Sequence, residues 1–399
     1  MYFADRMSQI APSPSSLAGQ RVRELRAGGR DVIGLTAGEP DFDTPEHIKE
    51  AAIRAMREGK TKYTDVGGIP ELKAAVIEKF RRENRLEYAA GEVIVSSGAK
   101  QVIFNALMCL VQQGNEVIVP APHWVSYPDM VRFAGAEPVV VSCAAANHFK
   151  LSPDQLERAI TARTRCLILN SPNNPSGAAY TAEELEALAG VLRQHADVYV
   201  IADDIYEHLL YDGRRFATLA SVAPDLKDRV LTVNGLSKAY AMTGWRIGYA
   251  GGPAPLISNM VKLQSQSTSC ACAISQVAAI EALNGPQDFI PKTRQIFQAR
   301  RDLLVRKINE TPGLQCETPE GAFYVFASCK DLIGKRTPEG KIIRSDTDLT
   351  LHMVDTQGVV VIQGSAYGAP GFFRMSIAAS EPLIEEAYGR IRRACEALQ

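Results

Sequence analysis

Lys238 follows the apolar run Arg229-Val-Leu-Thr-Val-Asn234 and precedes a glycine-flanked segment, Gly244-Trp-Arg-Ile-Gly248, that carries Arg246. A lysine by itself is ordinarily a solvated surface cation. A guanidinium beside it disfavours the ammonium form and draws its pKa down towards a nucleophilic amine. The same guanidinium offers a planar fork suited to phosphate oxygens. Lys238 and Arg246 together could therefore set a nucleophilic amine beside a phosphate site.

Other residues fit a ligand of such a site. Asp203 ends an apolar run, where a carboxylate is costly without a cationic partner, and a protonated ring nitrogen would be one. Tyr206 carries a phenol that could reach a neighbouring ring oxygen; Asp203 or Asp204 could instead cap a helix. Ser97, Gly98, Ala99 and Lys100 join a strand to a helix, and the first amides of a helix favour an anion. The bland alternative is an ordinary turn. Asn174-Pro175 is a turn-forming pair, and Trp124 could stack on a flat ring. His123 beside it reads as a structural loop histidine. Arg374, in a late strand, is a candidate clamp for a carboxylate.

These residues need a scaffold, and the apolar pattern supplies one. Short continuous hydrophobic runs at 92–96, 116–120, 138–142, 165–170, 198–202 and 229–234 read as strands. Helical patterns at 100–111 and 181–196 separate them, the second opened by a capping box, Thr181-Ala-Glu-Glu184. This predicts an α/β fold with a mostly parallel sheet covered by helices. Ligands of such sheets gather at the carboxyl ends of the strands, where the clusters at 96–100, 170–175, 203–206 and 234–238 all begin. A long charged helix towards Asn309 and strands at 321–326 and 373–377 suggest a smaller α+β domain. The expected division is a large domain at 46–290 and a small domain made of 1–45 with 291–399.

The chain has 399 residues, 46% hydrophobic and 22% charged, with a formal net charge of −1. No overall field would gather nucleic acid or an anionic membrane. No apolar run approaches the roughly 20 residues that span a bilayer, and residues 1–11 lack the pattern of a signal peptide. The eight cysteines are scattered, and Cys270-Ala-Cys272 is a poor zinc signal, so no metal is expected. A reducing cytoplasm is the expected compartment.

At this point the sequence resembles a known family, the fold-type I, class I aminotransferases dependent on pyridoxal 5′-phosphate, and within it the bacterial aspartate aminotransferases of subgroup Ib. The motifs are Thr36-Ala-Gly-Glu-Pro-Asp-Phe-Asp-Thr-Pro45, Lys62-Tyr63, Tyr127-Pro128, Asn170-Ser-Pro-Asn-Asn-Pro-Ser-Gly177, Asp203-Asp-Ile-Tyr-Glu-His-Leu209, Ser237-Lys-Ala-Tyr-Ala-Met-Thr-Gly-Trp-Arg-Ile-Gly248, Gly321-Ala-Phe-Tyr324 and Phe373-Arg374. They run in order along almost the whole chain.

The resemblance implies roles. Lys238 forms a Schiff base with the cofactor and later shuttles a proton; Asp203 pairs with the pyridine nitrogen; Tyr206 and Asn174 hold the phenolic oxygen. Trp124 stacks on the ring. Arg246, Ser237 and the turn from Ser97 to Lys100 hold the phosphate, with Tyr63 reaching in from a second subunit. Arg374 binds the substrate α-carboxylate, helped by Asn174, Trp124 and the backbone of Gly38. The implied reaction is ping-pong transamination between an L-amino acid and a 2-oxo acid, in a homodimer with shared sites.

The chain departs from the family at three places. Gly235 stands where a serine often grips the phosphate, and Asp204 where glutamate is usual. Ala11 and Met108 occupy the positions at which basic residues often read an acidic side chain. Aspartate with 2-oxoglutarate is thus expected alongside a second possibility, an aromatic or neutral amino acid or prephenate. A fold-type I β- or γ-eliminating enzyme would keep Lys238, Asp203 and Arg374. A cofactor-sensing transcription regulator would need a basic DNA-binding extension, which the sequence lacks. No G-x-G-x-x-G or P-loop accompanies the strands, which removes the nicotinamide and nucleotide alternatives.

Overall fold

The computed structural model describes residues 3–399. Its strands are β1 (Ile33–Gly34), β2 (Val93–Ser96), β3 (Glu116–Ala121), β4 (Glu137–Ser142), β5 (Thr164–Asn170), β6 (Tyr199–Asp203), β7 (Val230–Gly235), β8 (Gly248–Gly251), β9 (Tyr324–Ser328), β10 (Val359–Val360), β11 (Ile362–Gln363) and β12 (Phe372–Ser376). Seven of them form one sheet in the order β2-β8-β7-β6-β5-β3-β4. Neighbours from β4 to β7 are parallel. Only β8 runs against its neighbours, β2 and β7.

The continuous apolar runs are explained by burial on both faces. Val93, Val95, Ile118, Leu167, Leu169 and Val200 enter one hydrophobic cluster, while Ile94, Val117, Val119, Ile168 and Ile201 enter another. Successive side chains of a strand point to opposite faces, so both faces must be apolar when helices cover both. Helices Ala99–Leu110 and Ala254–Ser265 cover one side; Glu46–Arg57, Pro70–Lys79, Ala182–Leu192 and Ala273–Asn284 cover the other. The expected capping box is present: Thr181 accepts from the Glu184 amide and Glu184 from the Thr181 amide.

Strand β8 is an element that the hydrophobic pattern did not reveal. Its sequence is Gly-Tyr-Ala-Gly, with too few apolar side chains to register as a run. The glycines serve close approach: a Cβ on Gly248 would lie 2.1 Å from the amide nitrogen of Ala99. Because β8 is antiparallel, its first residue lies at the same edge as the last residues of its neighbours, with Gly248 opposite Ser96 and Gly235. That register delivers Arg246 to the carboxyl edge of the sheet.

A three-stranded antiparallel sheet, β11-β12-β9, packs with helices Phe289–Asn309, Asp346–Gln357 and Glu381–Glu396 around a separate apolar cluster. The N-terminal segment joins it through the parallel pair β1 and β10. No helix among the described residues is long and apolar enough to cross a membrane.

Candidate active site

A cleft of about 680 Å³ opens at the carboxyl edge of the large sheet. Lys238 reaches it from the turn after β7, Asp203 and Tyr206 from the end of β6, Asn174 from the turn after β5, and Trp124 from the turn after β3. Arg374 enters from β12 of the smaller sheet, and Gly38 from the segment following β1.

The Lys238 ammonium donates to the carbonyl oxygen of Gly38 at 2.5 Å and lies 5.9 Å from the ring centres of Tyr206 and Phe323. Its pKa falls to about 8. Burial is the larger cause and Arg246 the second, whereas the sequence had pointed to Arg246 alone.

Arg246 donates to the carbonyl oxygens of Thr243 at 2.8 Å and Ser97 at 3.4 Å. This fixes the fork against the N-terminus of helix Ala99–Leu110, whose N-cap residue, Gly98, supplies no side-chain cap. Gly98 has φ +93°, and a Cβ there would lie 2.3 Å from Nη2 of Arg246. Lys100 adds a cation, donating to Ser126 Oγ at 3.3 Å and lying 4.7 Å from the Trp124 ring. A helix N-terminus, an arginine fork and a lysine at one place make an anion cradle.

Asp203 is buried, and burial raises its carboxyl above the ordinary range. The Tyr127 hydroxyl donates to Oδ2 at 2.5 Å and opposes that shift. No lysine, arginine or histidine among the described residues forms an ion pair with Asp203, so a cationic ligand atom would complete it. No helix follows, so neither Asp203 nor Asp204 serves as a helix cap; Oδ1 of Asp203 instead accepts the Ile205 amide at 3.3 Å. Trp124 packs edge-on against Tyr127, and the hydroxyls of Tyr206 and Tyr324 lie 2.9 Å apart.

Arg374 is 1% exposed. It donates to Asn174 Oδ1 at 3.0 Å and to the Thr36 carbonyl at 2.8 Å, with the Tyr324 ring centre 4.2 Å from its guanidinium carbon. All these acceptors are neutral, and its Nε has no partner. A buried guanidinium without a counter-ion is costly, and an incoming carboxylate would relieve that cost.

The cleft thus gathers Gly38, Ala99, Lys100, Trp124, Asn174, Asp203, Tyr206, Ser237, Lys238, Arg246 and Arg374. Ser97 and Gly98 lie behind Arg246 at its edge. Tyr63 is not brought in: it is 91% exposed and outside the cleft of its own chain. Ala11, Met108 and His123 do not line it either. Sequence reasoning gave no role to Tyr127 or Tyr324, although both lie in quoted motifs. It also passed over Ser15, Ser16, Arg23 and Arg26, which line the cleft from helix Pro14–Ala27. Their spacing along one helix face was the available signal.

The family model described as aminotransferase class I and II matches residues 30–391. The chain is 53% identical to a probable aspartate/prephenate aminotransferase of Rhizobium leguminosarum bv. phaseoli, over 99% of both chains. It superposes on the crystal structure of the aspartate aminotransferase from Rhizobium meliloti with a TM-score of 0.98, at 51% identity over 100% of both chains. The Thermus thermophilus aspartate aminotransferase with maleate gives a TM-score of 0.92 at 44% identity, covering 99% of this chain and 100% of that one. A cleft with an activated lysine, a buried carboxylate and an unpaired arginine is what transfer of an amino group requires, and the chain belongs to the class I and II aminotransferases.

Proposed function

We propose that this aminotransferase carries pyridoxal 5′-phosphate on Lys238 and moves the amino group of aspartate to a 2-oxo acid such as 2-oxoglutarate. The observation that carries the reading is Arg374, a buried guanidinium facing the same cleft as Lys238, with no carboxylate among the described residues paired to it. The residues suit the cofactor. Arg246, seated where Gly98 leaves room for it, would hold a phosphate; Asp203 would pair with a ring nitrogen, and Tyr206 and Asn174 would donate to a ring oxygen.

When bound, pyridoxal phosphate supplies a conjugated ring able to spread the negative charge left when the substrate α-proton departs. Asp203 would hold the proton on the ring nitrogen, and the Tyr127 hydroxyl favours its ionised form against the effect of burial. Arg374 orients the substrate by its α-carboxylate. Lys238 Nζ, once free as an amine, would take the α-proton and return it. Trp124, on the cleft wall, would stack on the ring.

The names of the relatives support aspartate, and the maleate bound by the Thermus relative is a dicarboxylate. Arg23 and Arg26 place positive charge on the cleft wall although Ala11 and Met108 do not. Prephenate is a second reading, favoured by the Rhizobium leguminosarum relative's name. A large domain at 46–290 and a small one formed by 1–45 with 291–399 fit the seven-stranded sheet with its two clusters and the three-stranded sheet with its own. A cytoplasmic homodimer is consistent with eight free cysteines and the exposed Tyr63.

The test is twofold. Purified protein should absorb in the visible, and Lys238→Ala should abolish that band; a colourless wild type unable to take up added cofactor would sink the proposal. Single-turnover conversion of the cofactor to its pyridoxamine form should then be fastest with aspartate and glutamate among a panel including phenylalanine, tyrosine and aliphatic amino acids. If both acids rank slowest, the substrate assignment is wrong.

A further inference from the structure

Behind the cleft lies a buried charged cluster that the chemistry above does not use. Lys79, the last residue of helix Pro70–Lys79, is 0% exposed. Its ammonium donates to Glu207 Oε1 and, at 2.7 Å, to Asn84 Oδ1. Glu207 is buried too, and its other oxygen accepts from Asn84 Nδ2 at 2.6 Å. Asn234 Nδ2 donates to Glu207 Oε1 at 2.8 Å, while Asn234 Oδ1 accepts the amide of Gly235 at 2.7 Å.

The cluster sits between two turns of the active site. Glu207 directly follows Tyr206, and Asn234 with Gly235 opens the turn that ends at Lys238. Neither Glu207 nor Asn234 lines the cleft. One carboxylate thereby joins the backbone behind Asp203 and Tyr206 to the backbone behind Lys238. Two buried charges are retained where apolar packing would ordinarily be at least as stabilising, so a positional role explains them better than stability does. A metal is not needed: Glu83, Glu207 and His208 could surround a cation, but the Lys79 ammonium already contacts both carboxylates.

We propose that Glu207, held by Lys79, is a positioning residue that fixes the Lys238 turn against the Tyr206 turn through Asn234. The inference rests on the reading that Lys238 carries the cofactor. Losing the link would let the Lys238 amine drift from Asp203 and Tyr206, without touching the substrate clamp at Arg374.

The variants are Glu207→Leu, which removes the oxygen that accepts from Asn234, and the pair Lys79→Met with Glu207→Leu, which leaves no unpaired buried ammonium if the single variant does not fold. In the folded holoenzyme of the pair, the pH midpoint of the visible cofactor band should shift from the wild-type value. A misplacement on the order of 1 Å predicts a kcat about tenfold to a hundredfold lower, with KM for the amino acid within about twofold. Amide hydrogen exchange across 235–238 in the apoprotein should quicken. A pair that melts at a lower temperature yet keeps the wild-type midpoint, kcat and exchange would make the cluster merely structural and overturn the inference. A wild type without a titrating band would overturn the reading of Lys238 itself, and the inference with it.

Discussion

The hydroxyl of Tyr127 donates a 2.5 Å hydrogen bond to Oδ2 of Asp203 at the floor of the cleft. Asp203 loses hydration by burial, which raises its pKa, and this bond pulls it back towards the ionised form. Tyr127→Phe removes the donor while keeping the ring against Trp124. Asp203 should then rise further, leaving less of it ionised to pair with a protonated ring nitrogen. Loss of one hydrogen bond to a charged group, about 1.5 kcal/mol, should weaken pyridoxal phosphate binding roughly tenfold. Equilibrium titration of the apoprotein measures it; an unchanged affinity would remove Tyr127 from the cofactor site.

Capture of an aldehyde needs the neutral amine of Lys238. An ordinary lysine titrates at 10.5, this one at about 8. The rate at which apoprotein takes up pyridoxal phosphate should therefore climb through pH 8 and level off above it, rather than still rising towards 10.5. The sign for stability follows: the folded pKa lies below the unfolded one, so the unfolded chain binds the extra proton between these values. Lys238 therefore makes the apoprotein gain stability as pH rises from about 8 to 10.5. Lys238→Met should remove that component from a series of denaturant melts, and an identical pH dependence in both proteins would count against the depressed value.

Gly98 carries φ +93° and has no room for a Cβ against Arg246. Gly98→Ala should cost about 1–3 kcal/mol through backbone strain and displace the guanidinium. Affinity for pyridoxal phosphate should fall far more than affinity for unphosphorylated pyridoxal. Equal losses for both ligands would show that the cradle does not read the phosphate.

Much of this site was legible because strand ends are where polar clusters follow apolar runs. Lys238, Asp203, Asn174 and Trp124 all lie at such junctions, and the runs were visible because both sheet faces are buried. Strand β8 was not legible from its pattern, since glycines chosen for closeness leave no hydrophobic period. Tyr127 and Tyr324 escaped a role because a phenol's partner is set by tertiary packing: Asp203 lies 76 positions from Tyr127 along the chain. The cluster of Lys79, Asn84, Glu207 and Asn234 was hidden for the same reason. Lys79, at the end of a helix, reads in sequence like any solvated lysine.

Arg374 lies in the interior with neutral hydrogen-bond acceptors only, Asn174 Oδ1 and Thr36 O. Arg374→Ala should remove the anchor of the α-carboxylate. Truncating one side of a buried charge pair costs about 2–5 kcal/mol, so kcat/KM should fall by about 10²-fold or more for every amino acid tested. The cofactor band should persist. A loss confined to acidic amino acids would instead move Arg374 to recognition of the side chain.

Tyr63 is 91% exposed and lies outside the cleft of its own chain, which fits a residue acting on a second copy. Hybrid dimers distinguish the arrangements. If two copies pair as proposed, a homodimer of Lys238→Ala has no amine in either site, and a homodimer of Tyr63→Ala lacks the phenol in both. In a mixed dimer, the site built on the intact Lys238 receives its tyrosine from the Lys238→Ala chain, so one site per dimer is complete. Mixing unfolded chains and refolding them should restore activity and tight cofactor binding to about half of the sites in each hybrid, as expected for a shared two-fold interface. Should Tyr63 act within its own chain, the intact lysine and the intact tyrosine would never meet, and the hybrid would be no better than the Tyr63→Ala homodimer.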